Sequence, residues 1–111
     1  MSSAFLEDTY GPYIEVDPDS DLDYSLTCWI EGVVFTAIAW ELSPDIIGAV
    51  YNSQINNSPV VIDGISYDTG KVATAFVKTL VPGVTYILTL HATFTAGRKD
   101  DRSIRLICKE R

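Results

Sequence analysis

Residues 80–96 read Leu80-Val81-Pro82-Gly83-Val84-Thr85-Tyr86-Ile87-Leu88-Thr89-Leu90-His91-Ala92-Thr93-Phe94-Thr95-Ala96. After the Pro82-Gly83 turn signal the run alternates. Tyr86, Leu88, Leu90, Ala92 and Phe94 fall on one face, and Ile87, Thr89, His91, Thr93 and Thr95 on the other. A period of two over ten residues predicts a long β-strand with one buried face, since a helix would scatter these side chains around its circumference. The entry is specific as well. Leu80, Pro82-Gly83 and Tyr86 have the Leu-x-Pro-Gly-x-x-Tyr spacing of a tyrosine corner, in which the ring is buried and its hydroxyl returns to upstream backbone.

Outward from this strand the chain keeps the same rhythm. Leu22, Tyr24, Leu26, Cys28 and Ile30 are expected to face inward, with Trp29 out of place on the polar face. After Gly32, the residues Val34, Thr36, Ile38, Trp40 and Leu42 are assigned inward and Phe35, Ala37, Ala39 and Glu41 outward. Trp40 then takes the place of the central tryptophan of a sandwich. Ser43-Pro44-Asp45 ends that run, and residues 46–51 are expected to form a short edge strand. Val60-Val61-Ile62 and the Asp63-Gly64 turn pair follow, and Asp68-Thr69-Gly70 supplies a further turn. Residues 71–79 lead into the corner with Ala73, Ala75 and Val77 inward and Thr74 and Phe76 outward. Beyond the long strand, residues 96–101 read as a polar hairpin, and Ile104, Leu106 and Cys108 turn inward again. About seven strands with regular turn signals and no convincing helix predict an antiparallel β-sandwich. The tyrosine corner resembles that of fibronectin type III and related immunoglobulin-like domains.

At 111 residues the chain is expected to be a single domain with one core. Residues 1–21 are assigned to an extended N-terminal arm and residues 22–111 to the sandwich. Pro12, Asp17-Pro18-Asp19 and the acidic density set the arm apart, while Phe5, Leu6, Tyr10, Tyr13, Ile14 and Val16 give it apolar anchors for its own domain or a neighbour. The net charge of −7 is segregated: seven acids lie within the first 23 residues, and six of the eight basic residues within the last fourteen. This polarity has two readings, terminal segments lying side by side or one copy's arm meeting a neighbour's basic surface. Nucleic acid is disfavoured as a partner, since the molecule as a whole repels phosphate. No apolar run has the length of a membrane span, and the first eight residues have neither the basic start nor the apolar core of a secretory signal. A cytoplasmic origin is expected, with Cys28 and Cys108 as reduced, buried thiols.

Catalytic chemistry finds no foothold. The single histidine, His91, lies on the outward face with no nucleophile placed beside it. Asp17, Asp19, Asp21 and Asp23 have the alternation of a calcium loop, but Leu22 and Cys28 stand where such a loop needs glycine and glutamate. No zinc spacing or phosphate-cradling loop is present. The expectation is no enzyme, no cofactor and no metal. Trp29, Phe35 and Phe76, aromatic residues on otherwise polar faces, join the arm as candidate protein contacts.

The C-terminal stretch Gly97-Arg98-Lys99-Asp100-Asp101-Arg102-Ser103-Ile104, closing on Lys109-Glu110-Arg111, resembles the end of small tailed-bacteriophage structural proteins, the fiber-tail adaptor and virion-associated proteins. Asp17-Pro18-Asp19 followed by Leu22-Asp23-Tyr24 is similar to their opening. Phe76 stands where a tryptophan is common in them, and residues 1–16 are a longer leader than usual. The resemblance implies a non-enzymatic virion component with an immunoglobulin-like fold, present in multiple copies in a symmetric tail or head-tail assembly. Its partners would be other tail, connector or fiber subunits. A capsid-decorating protein or a cell-surface, carbohydrate-binding module are the alternatives. Candidate contact residues are Phe5, Tyr10, Tyr13, Trp29, Phe76, Arg98, Lys99 and Arg102, over a frame built on Trp40, Leu80 and Tyr86. On this reading, loss of residues 1–21 leaves a folded domain that no longer assembles.

Overall fold

The computed structural model describes residues 6–8, 11–17 and 20–109. Among them are ten strands: β1 (Leu6–Asp8), β2 (Gly11–Val16), β3 (Asp21–Thr27), β4 (Phe35–Ser43), β5 (Val50–Ile55), β6 (Val60–Ile62), β7 (Ile65–Tyr67), β8 (Val72–Lys78), β9 (Thr85–Phe94) and β10 (Lys99–Cys108). A five-stranded sheet in the order β1-β2-β10-β9-β4 faces a three-stranded sheet in the order β3-β8-β5, and β6 and β7 form a separate hairpin. The protein is all-β, with its two main sheets packed as a sandwich.

The core lies where the alternation of β9 meets that of β8. Tyr86, Leu88, Leu90, Ala92 and Phe94 are buried from one side, and Ala73, Ala75 and Val77 from the other. At the corner the Val81 N–H donates to the Tyr86 hydroxyl at 3.0 Å. Val84 N–H closes the turn onto Val81 O, with Gly83 at φ 79°, the conformation that a type II turn requires of its third residue. The ring is thereby buried with its polar end satisfied. Trp40 packs against both halves of the core.

Three sequence expectations are corrected. Phe35, assigned outward, is 3% exposed and stacks on Phe94 at 5.2 Å. A bulge between Phe35 and Ala37 inserts one residue into β4, so the faces exchange there and Thr36 turns to solvent instead. Residues 46–49 form a turn and β5 begins only at Val50, so the edge strand sits later than expected. The largest difference concerns the N-terminal segment. Residues 1–21 were expected to lie outside the core, yet β2 pairs in parallel with β10, aligning Tyr13 with Arg105 and Val16 with Cys108. Val16 is 3% exposed within the core, and Lys109 N–H donates to its carbonyl at 2.9 Å.

The second and last strands therefore lie side by side. The Glu15–Lys109 ion pair across them, at 3.9 Å and half exposed on each side, adds little to stability. Cys28 and Cys108 are free thiols, and burial pushes that of Cys108 up from its ordinary value.

Candidate interaction surface

The outer face of the three-stranded sheet is not open. Ser25, Val72 and Thr74 point outward by alternation, yet all three are buried. The β6–β7 hairpin lies over them, and the two hydroxyls satisfy each other at 2.8 Å. The hairpin turns tightly on Asp63 and Gly64, both at positive φ. Asn56 secures its base: the side chain donates to Ser58 O at 3.0 Å and Asp68 O at 2.8 Å, and accepts from Val72 N–H at 2.9 Å. One residue thus joins both ends of the hairpin to β8.

Val61 and Ile65 stand 69% and 56% exposed on this hairpin. A cleft of about 470 Å³ opens on one side of it, lined by Ile55, Asn56, Val60 and Ile62 among others. A second cleft of about 330 Å³ lies on the other side, between Leu26 and Thr27 of β3, Ile62, Ile65 and Tyr67 of the hairpin, and Trp29 and Arg102. Apolar side chains rimmed by polar ones, exposed to this extent on a small domain, are the composition of a protein-binding patch.

Trp29 forms the wall of that second cleft. β3 ends at Thr27, and Cys28 N–H bonds Lys71 O at 2.7 Å, so Trp29 leaves the strand and turns over the end of the core. Its ring meets Phe94 and Phe35 edge-on, at 5.3 and 5.8 Å. The Arg102 guanidinium sits 5.0 Å from the ring centroid, and Nε1–H donates to Asp100 Oδ2 at 3.0 Å. That bond, with a second from Asp101 N–H, holds the Asp100 carboxyl below its usual range. Trp29 is locked from three directions, the rigid aromatic type that makes efficient contacts.

Of the candidates named from sequence, the fold gathers Trp29 and Arg102 at this end, with Arg98 exposed on the turn that leads into β10 and Lys99 exposed at the first position of that strand. Phe76 is elsewhere, half-buried against Tyr51 at 5.5 Å, where Lys78 covers the tyrosine and its hydroxyl donates to Asp21. Tyr13 lies on the far sheet beneath the Arg105 guanidinium at 5.2 Å. Phe5 and Tyr10 fall outside the described residues. Leu80 is buried beside Tyr86. The residues that sequence reasoning passed over are Asn56, Val61 and Ile65. Asn56-Asn57-Ser58-Pro59 and Asp63-Gly64 were legible as turns, but nothing in them tells that the hairpin folds back over β8.

His91 occupies the outer face of the other sheet, with Nε2 2.8 Å from Glu41 and Nδ1 3.1 Å from Asp101. Both ring nitrogens can donate only when the imidazole is protonated. The hydrogen bond to Glu41 is the largest influence and that to Asp101 the next, and together they raise the pKa above its ordinary value. A raised pKa in the folded state contributes stability that is complete below the unfolded value and is lost as pH rises through the folded one. Wild-type protein is therefore expected to lose more of its melting temperature than His91→Gln as pH is raised from 5.5 to 8.5. Parallel melting curves for the two chains would rule this out.

These features define a small all-β protein, a sandwich whose distinctive chemistry lies on its surface. The family model described as podophage GP4 fiber-tail adaptor protein gp77 matches residues 17–107, and the chain belongs to that family. It is a phage tail structural adaptor. No curated protein matches the chain.

Proposed function

We propose that this chain joins tail subunits without catalysing a reaction, using the hairpin end as one of its docking surfaces. The observation that carries the proposal is the exposure of Val61 and Ile65 beside a cleft walled by the immobilised Trp29–Arg102 pair. Residues ahead of β1 would act as a tether to a neighbour, with Arg98 and Lys99 as polar rim. The order β3-β8-β5 opposite β2-β10-β9-β4, with the first strand of the second set parallel to β10, supports an immunoglobulin-like reading of the sandwich. A glycan-binding role is less well supported, since Trp29 offers no open platform: Arg102 covers its face and two phenylalanines hold its edge.

The test is complementation of particles lacking this protein with Val61→Asp/Ile65→Asp. Both side chains are exposed, so the melting temperature should stay within a few degrees. The yield of infectious particles should fall at least about tenfold, because a desolvated charge at an interface core costs 1.4 kcal/mol or more. Wild-type yield with the double variant incorporated would refute this docking surface.

A further inference from the structure

The free margin of β4 is a different kind of surface. β9 sits between β10 and β4. Its Phe94 N–H bonds to Arg98 O at 2.7 Å, so the even-numbered residues of β9 pair with β10 and the odd-numbered ones with β4. His91 and Thr89 therefore bond to Ala39 and Glu41, and the N–H and C=O groups of Ile38, Trp40 and Leu42 point away from the sheet. Among the described residues a backbone bond closes the beginning of this margin, where Phe35 N–H donates to Gly70 O at 2.8 Å, and β5 of the opposite sheet passes near the rest of it without pairing to it.

Exposed edges are commonly blunted by lysine, proline, bulges or brevity. β4 is nine residues long, its one bulge lies at the Phe35 end, and it contains no lysine, arginine or proline. β5, the neighbouring edge of the opposite sheet, is interrupted by a register shift between Tyr51 and Gln54, with Asn52 at positive φ. Alongside the open part of β4 runs a groove of about 370 Å³, lined by Trp40, Leu42, Asp45, Ile46 and Val50. The indole N–H of Trp40 is buried with no acceptor among the described residues, and an added strand would bring carbonyl groups to this margin.

We infer that residues 37–43 accept an extended segment of a neighbouring tail protein as an additional strand, one in which aliphatic and basic residues alternate. Backbone pairing with Ile38, Trp40 and Leu42 holds the segment, and its aliphatic side chains enter the groove over Trp40 and Val50. Charge selects the basic character: the stretch from Phe35 to Val50 carries two carboxylates, Glu41 and Asp45, and no basic side chain. The same charge, within a net −7, disfavours a second copy of this chain as occupant. This surface is separate from the hairpin end and does not depend on it.

The test uses the full chain and two capped nonapeptides, one alternating lysine with valine and one alternating glutamate with valine. Amide hydrogen exchange at Ile38, Trp40 and Leu42 should slow at least tenfold with the lysine peptide and remain unchanged with the glutamate peptide. Glu41→Lys/Asp45→Lys, which also releases His91 from Glu41, should abolish that protection, whereas His91→Gln, which loses the same pair but keeps both carboxylates, and Val61→Asp/Ile65→Asp should keep it. Protection elsewhere, or by both peptides equally, would overturn the inference. So would protection of the same three amides by raising protein concentration alone, which would assign the edge to self-pairing.

Discussion

Val16→Asp is expected to remove a large fraction of the protein's folding free energy. Val16 lies near the N-terminus, in a segment whose prolines and acids suggest a tether, yet its side chain is buried beside Cys108, Leu106 and Tyr24. A carboxylate there would have no partner, and an uncompensated charge in a core costs about 3–5 kcal/mol. That is a large fraction of the ~5–15 kcal/mol by which folded domains are stable. Where the native state survives, its melting temperature should fall by more than about 10 °C. Two controls separate this from a general effect of the segment. Val16→Ala removes two methyl groups and should cost about 1.6 kcal/mol. Glu15→Lys, one residue away on the solvent face, should be close to neutral. Urea unfolding of the three variants is the measurement. Equal, small effects would mean that β2 is only loosely held. The same reasoning reverses the expectation that residues 1–21 can be removed without harm, because a cut beyond Val16 takes a core side chain and strips β10 of its outer neighbour.

The sequence made plain those parts of the fold whose signals are local. β9 was legible because ten residues alternate without interruption, and its corner because Leu80, Pro82, Gly83 and Tyr86 lie within seven residues of one another. β2 was not, since its partner is β10 at the other end of the chain and a parallel pairing leaves no hairpin turn between the two. Phe35 was misassigned because a single inserted residue reverses the faces, and residue-type alternation carries no mark of where a bulge falls. Thr74 and Ser25 look like solvent-facing polar residues and are buried only because a hairpin more than thirty residues beyond Ser25 returns to cover them. For the candidate surface, the sequence picked out Trp29 as an aromatic on a polar strand face. The physical cause differs from that reading: the strand has already ended at Thr27, and the indole turns over the core instead of standing on the sheet.

That placement makes Phe94 the point where stability and docking meet. Phe94 is fully buried at the end of β9, stacked with Phe35 and touched edge-on by Trp29. Phe94→Ala removes a whole ring from a closed site, which costs about 3–5 kcal/mol through lost transfer energy and the cavity left behind. It also removes the two aromatic pairings, worth about 0.5–1.5 kcal/mol each beyond burial. Phe94→Leu keeps much of the volume and should cost clearly less. The consequence reaches the surface because Trp29 would lose the wall that holds it against Arg102 and Asp100. Trp29 emission in a Trp40→Phe background should therefore shift to the red in Phe94→Ala under conditions where the chain is still folded. Unfolding free energy lowered by less than about 1 kcal/mol, or an unshifted Trp29 spectrum, would contradict this packing. Docking at the hairpin end should weaken together with stability in Phe94→Ala, whereas Val61→Asp/Ile65→Asp weakens docking alone. The contrast follows from construction: Val61 and Ile65 are mostly exposed in the free protein, while the tryptophan beside them rests directly on the core.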